Sequence, residues 1–394
     1  MEHLKIKSLG PINEADIHFG DLTLFVGPQA SGKSILLQMI KLVMDRYNIP
    51  AVLKQNNYEW GKKNENFLDL FFGESMSGIW TPETKVVIDA KTYGLASFLS
   101  KQGVREVSKT EKLFYIPAQR VVTMSQGWPR AFGTFDIGDP FVLKQFSESI
   151  RMMLEKETLN GDSDHSAVFP KPNRIKEPLR KILDESIFHG AKVESDNTSL
   201  KRRFLLEIGK SKLPFMTWSA GQKEFMPLLL SLYYLMPASK VKLKNDIKTV
   251  IIEEPEMGLH PKAIQALMVV FLELIARGYK LIISTHSPVL LELLWALNYI
   301  KKYHGTPVDL FDLFSLDKNT SMAATFKTVI NEKTFATYFF EQNSEGVTIR
   351  NISSLDAGSD EKAVANWGGL TDFASKAGDI VSKLVANEDE GTKK

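Results

Sequence analysis

Residues Val26 to Ile40 read VGPQASGKSILLQMI, and this stretch decides the fold. The apolar run LTLFVG leads into it, and ILLQMIKLVMDRY, with its helical spacing of apolar residues, leads out. Gly27 to Ser34 therefore fill the pattern G-x-x-x-x-G-K-[ST] between a strand and a helix, the context that gives the pattern its meaning. Gly27 and Gly32 permit backbone geometry that turns amides inward on phosphate oxygens. The helix start adds partial positive charge. Lys33 is expected to reach the β- and γ-phosphates of a nucleotide, and the Ser34 hydroxyl to hold Mg²⁺. The residues expected around the nucleotide are Gly27, Pro28, Gln29, Ala30, Ser31, Gly32, Lys33, Ser34 and Ile35.

Three further segments gain meaning from that loop. Thr249–Glu254 (TVIIEE) is an apolar strand ending in two carboxylates. Alone it reads as a solvated acidic strand end. Beside a phosphate-binding loop, Glu253 is placed to hold the magnesium and Glu254 to polarise the attacking water. Ser219-Ala220-Gly221-Gln222 opens an apolar helix and alone reads as a capped helix start. Ser284-Thr285-His286-Ser287-Pro288 ends a strand, which is where a histidine can meet a γ-phosphate. TVIIEEP, HPKAIQALMVVFLELIARG and YKLIISTHSP alternate strand, helix and strand at the spacing of a parallel βαβ unit.

The order of these four segments resembles that of ABC-type ATPases, a class that includes SMC and RecF-like proteins. The resemblance implies two heads that pair on ATP, with Ser219, Ala220, Gly221 and Gln222 capping in trans the nucleotide of the other copy. Gln119, in YIPAQR after a strand, matches the Q-loop and is implied as a Mg²⁺ ligand. His286 matches the switch histidine and joins Glu254 as a catalytic residue. IIEEPEMGLHP and STHSPVLLELL look like the AAA15/AAA21 group, which includes OLD-family ATPase modules. Glu253 in place of the more common Asp, and WSAGQK in place of LSGGQ, depart from the broad pattern. WGGL near the C-terminus is similar to stand-alone members of the group. The motif resemblance covers roughly residues 3–290. It implies an α/β fold: an ABC-type P-loop NTPase with a mixed sheet, parallel in its core, an N-terminal antiparallel β subdomain and a helical insertion. The head is expected over 1–310, with the insertion at about 125–200. A C-terminal extension over 311–394 is expected to end in a flexible tail, NEDEGTKK. Within it, ATYFFEQNSEGVTIRNIS is readable as a hairpin.

The bulk composition limits what else the chain can be. In 394 residues there is no cysteine, which excludes disulfides, thiolate zinc sites and cysteine nucleophiles. A net charge of +2 gives no global electrostatic case for nucleic acid, so such a site would be a local patch. The candidates are Asn173–Lys176 with Arg180 and Lys181, Lys201–Arg203, and Lys240–Lys244, and each also reads as a solvated face. MEHLKIKSLG has no signal-peptide core, and no stretch reaches the ~18 apolar residues of a membrane span. A cytoplasmic protein without membrane contact is the expectation.

The elements that are missing narrow the role. The interval between Gln119 and Ser219 is too short for SMC-type coiled coils. The segment after His286 holds scattered acids (Asp309, Asp312, Asp317, Asp356, Asp360) without the metal-binding pattern of the Toprim domain that OLD nucleases carry. The resemblance thus implies an ATPase subunit of a bacterial antiviral system of the Septu, PARIS or retron-associated kind. It would form a homodimer or a ring of dimers, sense a phage trigger and control an effector on a separate chain. The alternative is a RecF- or SMC-like repair ATPase whose heads clamp DNA directly.

Overall fold

Every residue of Leu22–Val26, Leu113–Ile116 and Thr249–Glu253 is buried. Strands buried on both faces belong in the middle of a sheet with helices on either side. The computed structural model, which describes residues 1–61, 64–99, 110–159, 167–172, 174–196, 202–236, 243–244 and 246–391, has that layout.

The chain begins with β1 (His3–Leu9), β2 (Ile12–His18) and β3 (Leu22–Val26), then α1 (Lys33–Met44), α2 (Asn48–Gln55) and α3 (Asn64–Phe72). β4 (Trp80–Ile88), β5 (Lys91–Tyr93), α4 (Ala96–Leu99) and β6 (Leu113–Ile116) follow. Next come β7 (Met124–Ser125), β8 (Trp128–Pro129), α5 (Phe141–Leu159), β9 (Ala167–Phe169), α6 (Glu177–Leu183), β10 (Lys192–Asp196), β11 (Arg203–Ile208) and β12 (Ser211–Pro214). The second half runs α7 (Ala220–Leu235), β13 (Thr249–Glu253), α8 (Pro261–Arg277), β14 (Lys280–Thr285), α9 (Pro288–Lys302), α10 (Pro307–Leu313) and α11 (Thr320–Glu332). It closes with β15 (Phe335–Asn343), β16 (Gly346–Asn351), α12 (Lys362–Ala365) and α13 (Asp372–Gly391).

Among the described residues the main sheet has ten strands in the order β5-β4-β1-β2-β16-β15-β3-β14-β13-β6. β15, β3, β14, β13 and β6 are mutually parallel. Alternation along each strand sends successive residues to opposite faces. Leu24, Val26, Val250, Ile252, Leu281 and Ile283 enter one core with α7, α8, α9 and α11. Phe25, Ile251, Ile282 and Tyr115 enter the other, with α1 and α3.

The structure adds detail in three places. The N-terminal antiparallel strands continue the main sheet, because β2 pairs with β16 in parallel. The hairpin β15–β16 lies in the middle of that sheet, with β15 beside β3 over Phe335↔Leu22 to Phe339↔Val26. The insertion holds α5 and α6, and its strands β9 and β10 join β11 and β12, which follow it, in a four-stranded antiparallel sheet β12-β11-β10-β9. One expectation is corrected. The tail residues Asn387 to Gly391 continue α13, which contains no proline and runs on through Gly378. Residues 392–394 lie outside the described residues.

Candidate nucleotide site

Register brings the motifs to one edge. Val26 pairs with Thr285, and Glu253 with Ser284, so β3, β14 and β13 end side by side at their carboxyl ends. Ligands of open α/β sheets bind at that edge.

The loop after β3 needs its glycines. Gly27 has φ 149° and a Cβ there would meet the Phe340 carbonyl oxygen at 2.9 Å. Gly32 has φ 86° and a Cβ would meet Pro11 Cγ at 2.9 Å. Gly32 caps α1 without a side-chain hydrogen bond, so no side chain competes for the first helical amides. Pro28, Gln29 and Ala30 are exposed, whereas Ser31 is buried and donates to the Pro28 carbonyl at 2.8 Å. Ile35 packs its side chain against the core that holds α1, leaving only its backbone to the site.

The Lys33 ammonium donates to the carbonyls of Gly27 (2.9 Å) and Pro28 (2.6 Å) and to Ser31 Oγ (3.3 Å). Burial pushes its pKa down to about 8, and the carboxylates of Glu254 and Glu253 oppose that shift. A pH dependence follows. A triphosphate favours the protonated lysine, so below pH 8 affinity is flat, and above it affinity falls about tenfold per pH unit up to the pKa reached in the complex. Nucleotide titrations across the range check this, and affinity still flat to about pH 9 would contradict it.

Glu253 is 5% exposed. Its Oε2 accepts from the Ala118 amide at 3.2 Å, and its Oε1 is buried without a hydrogen-bond partner. Burial raises its pKa, while the Ser34 hydroxyl, the Ala118 amide and the Tyr115 hydroxyl favour the charged form and Glu254 disfavours it. A buried carboxylate with one oxygen left without a partner, beside the Ser34 hydroxyl of α1, fits a hard divalent cation such as Mg²⁺. Gln119 is exposed one residue beyond Ala118, at the same strand end.

Glu254 adopts φ 41°, a strained value for a residue with a side chain. Neighbours fix it there: its amide donates to the Ser284 carbonyl at 2.9 Å, and its own carbonyl accepts from Arg120 at 3.3 Å. The turn aims the carboxylate outward. Glu254 Oε1 lies 3.5 Å from His286 Nε2, with the side chains 32% and 31% exposed, so water reaches both.

Sequence reading named neither residue that braces this pair. Glu256 Oε1 accepts from Thr285 Oγ1 at 2.7 Å and from the His286 amide at 2.8 Å, which holds the histidine loop. Arg120 spans the other side. An acid after a carboxylate pair and an arginine after a glutamine form no pattern; only the fold reveals their partners.

Ser219 and Gln222 form a capping box at the start of α7. The Gln222 amide donates to Ser219 Oγ at 3.3 Å and the Ser219 amide to Gln222 Oε1 at 3.2 Å. Gln222 Nε2 also donates to the Ile187 carbonyl at 3.3 Å. Ser219 and Ala220 are exposed. A Cβ at Gly221 would meet the Gly258 carbonyl at 2.9 Å, so the signature turn lies directly on the segment after Glu254.

The strand order and this edge define the class: an α/β P-loop protein whose phosphate-binding loop lies at the carboxyl edge of a parallel sheet core. A family model described as "AAA domain, putative AbiEii toxin, Type IV TA system" matches residues 147–292, which include Ser219, Glu253, Glu254 and His286 but not the P-loop. No curated protein sequence matches the chain. Among solved structures it is similar to the SMC head bound to the C-winged helix domain of ScpA, at 10% identity and TM-score 0.43, covering 89% of this chain and 96% of that one. It is also similar to the SMC head domain from Thermotoga maritima, at 12% identity and TM-score 0.36, covering 89% and 98%. A dimeric bacterial ABC transporter cassette is similar at 11% identity and TM-score 0.32, covering 72% and 88%. Among the described residues no helix is long and apolar enough to cross a membrane.

Proposed function

We propose that this chain binds and hydrolyses ATP with Mg²⁺, that two copies close head to head on the nucleotide, and that closure controls a separate effector protein in an antiviral defence complex. One observation carries the ATPase reading: Lys33, Ser34, Glu253, Glu254 and His286 converge at the carboxyl edge of three adjacent parallel strands. Mg²⁺ would be held by Ser34 and Glu253, with Gln119 beside them, and would supply charge neutralisation at the phosphates. Glu254 accepts the proton of the attacking water, and His286 steadies that carboxylate and faces the γ-phosphate position. The exposed start of α7, with Ser219, Ala220, Gly221 and Gln222, is the surface that would cap the partner's nucleotide.

The defence role draws support from the family description, which names a toxin system for that family. A separate effector suits the acids after His286, three of which have partners within the chain. Asp309 caps α10, Asp317 pairs with Lys181 at 3.1 Å, and Asp356 accepts from the Gly358 amide at 2.9 Å. The DNA-clamp alternative gains no such support. Lys176 pairs with Glu273, Arg202 with Glu155 and Arg203 with Asp196, at 2.8, 3.3 and 2.9 Å, and Arg180 donates to the Pro172 and Ile175 carbonyls. Asn173, Lys201 and Lys240–Lys242 lie outside the described residues.

Phosphate release by the purified chain tests the reading. Turnover is expected with ATP and Mg²⁺ and lost on chelation. A chain that binds no ATP, or releases phosphate equally well without a divalent cation, overturns it.

A further inference from the structure

Arg120 directly follows Gln119, and the two residues part ways: Gln119 is exposed and Arg120 is 0% exposed. The buried guanidinium is shared between two segments. Nε donates to the Glu224 carbonyl, near the start of α7, at 3.1 Å. One terminal nitrogen donates to the carbonyls of Glu253 (3.2 Å) and Glu254 (3.3 Å), and the other to Glu254 (3.3 Å) and Pro255 (3.5 Å). The nearest carboxylate oxygen, Glu224 Oε2, is 3.9 Å away and has no hydrogen-bond partner of its own.

This is an expensive way to fill a core position. A buried cation held mainly by neutral carbonyls keeps much of its desolvation cost, and an apolar side chain would fill the space more cheaply. What the guanidinium adds is geometry, since its rigid fork fixes several acceptors at once in a way a lysine cannot. Those acceptors are the backbone of the metal-holding Glu253, the backbone of the strained Glu254, and the helix that starts at the signature. Gly221 lies on Gly258 from the other side, so the same two segments meet twice.

We infer that Arg120 is a positioning residue that couples the Gln119 turn to Glu254 and to the start of α7, so that a metal-bound nucleotide at one end sets the base and the signature surface at the other. The inference rests on the ATPase reading for its direction of signalling. Gln119 meets the metal side and Arg120 carries the displacement inward, because a turn that moves one residue moves the next.

The test uses the full chain, a fluorescent ATP analogue to count binding-competent sites, phosphate release per bound site, and hydrogen exchange over residues 219–226 with and without Mg²⁺-ATP. Arg120→Lys is expected to bind nucleotide within about twofold of the parent. It is expected to turn over at least about tenfold more slowly per bound site, because sub-ångström misplacement of a base is costly. The ATP-induced change in exchange over 219–226 should disappear. Counting per bound site removes any loss from unfolded protein, which a merely structural role would produce. Turnover per bound site equal to the parent's overturns the proposal. If Arg120→Lys does not fold, Glu224→Gln decides: about threefold slower turnover per site with a weakened exchange response supports it, and parental behaviour overturns it. A parent that binds ATP without turnover sinks the hydrolysis reading alone, and the exchange response still judges Arg120. A parent that binds no ATP sinks both.

Discussion

Glu254→Gln is expected to bind ATP with the parent's affinity and to release phosphate about 10²–10⁴-fold more slowly, the usual contribution of a positioned general base. Of the two adjacent carboxylates, only Glu254 is open to water and beside His286. Glu253 is buried against the Ala118 amide and the Ser34 hydroxyl, where it suits a cation and has no room for an attacking water. Glutamine keeps the size of the side chain and disturbs neither the Ser284 nor the Arg120 contact, both of which use the backbone of residue 254. Binding should therefore survive. Single-turnover phosphate release, normalised to bound nucleotide, makes the comparison. A variant that hydrolyses within about twofold of the parent would take the base role from Glu254 and leave His286 as the next group.

Lys33→Ala is expected to lose about 2–5 kcal/mol of nucleotide affinity, roughly 30-fold to several thousand-fold, the cost of removing one member of a desolvated charge pair. The ammonium is the cation that the loop itself presents, and its three donor bonds go to Gly27, Pro28 and Ser31 of that loop. A triphosphate must draw it away from those oxygens. The alanine variant has no such charge to give, and it leaves the Gly27 carbonyl without its lysine donor, while the Pro28 carbonyl keeps the Ser31 hydroxyl. Titration with a fluorescent ATP analogue measures the loss, and a melting curve separates it from unfolding. Affinity reduced by less than about threefold would mean that phosphate recognition rests on the helix amides alone.

How far the sequence could be read follows from where each residue's partners lie. Gly27 and Gly32 answer a local demand of the backbone, so the loop was legible without any long-range contact. The acidic end of β13 and the histidine end of β14 were legible because buried strands carry nearly continuous apolar runs that stop abruptly. β15 was not placed, because its partner β3 lies some three hundred residues earlier and nothing local to Phe335–Asn343 announces that pairing. The smaller sheet was not legible, because β9 has only three residues and β10 and β12 are short and largely polar. Arg120 and Glu256 escaped for a related reason. Their partners, backbone groups and for Glu256 also the Thr285 hydroxyl, lie in segments distant along the chain and leave no trace in the neighbouring residue types. The capping box at Ser219 belongs to a different case. It was read as a helix cap and as a signature turn, and the cap is in place within one chain, whereas the signature role needs a second.

That second chain is the central claim. Light scattering of the Glu254→Gln chain, with and without saturating Mg²⁺-ATP, tests it most directly. The account predicts the mass of a single 44.4 kDa chain without nucleotide and twice that mass with it. The doubling should vanish in a Glu254→Gln chain that also carries Ser219→Arg, which blocks the signature turn while leaving its own P-loop intact. A mass that does not change while ATP occupies the site would contradict head-to-head closure.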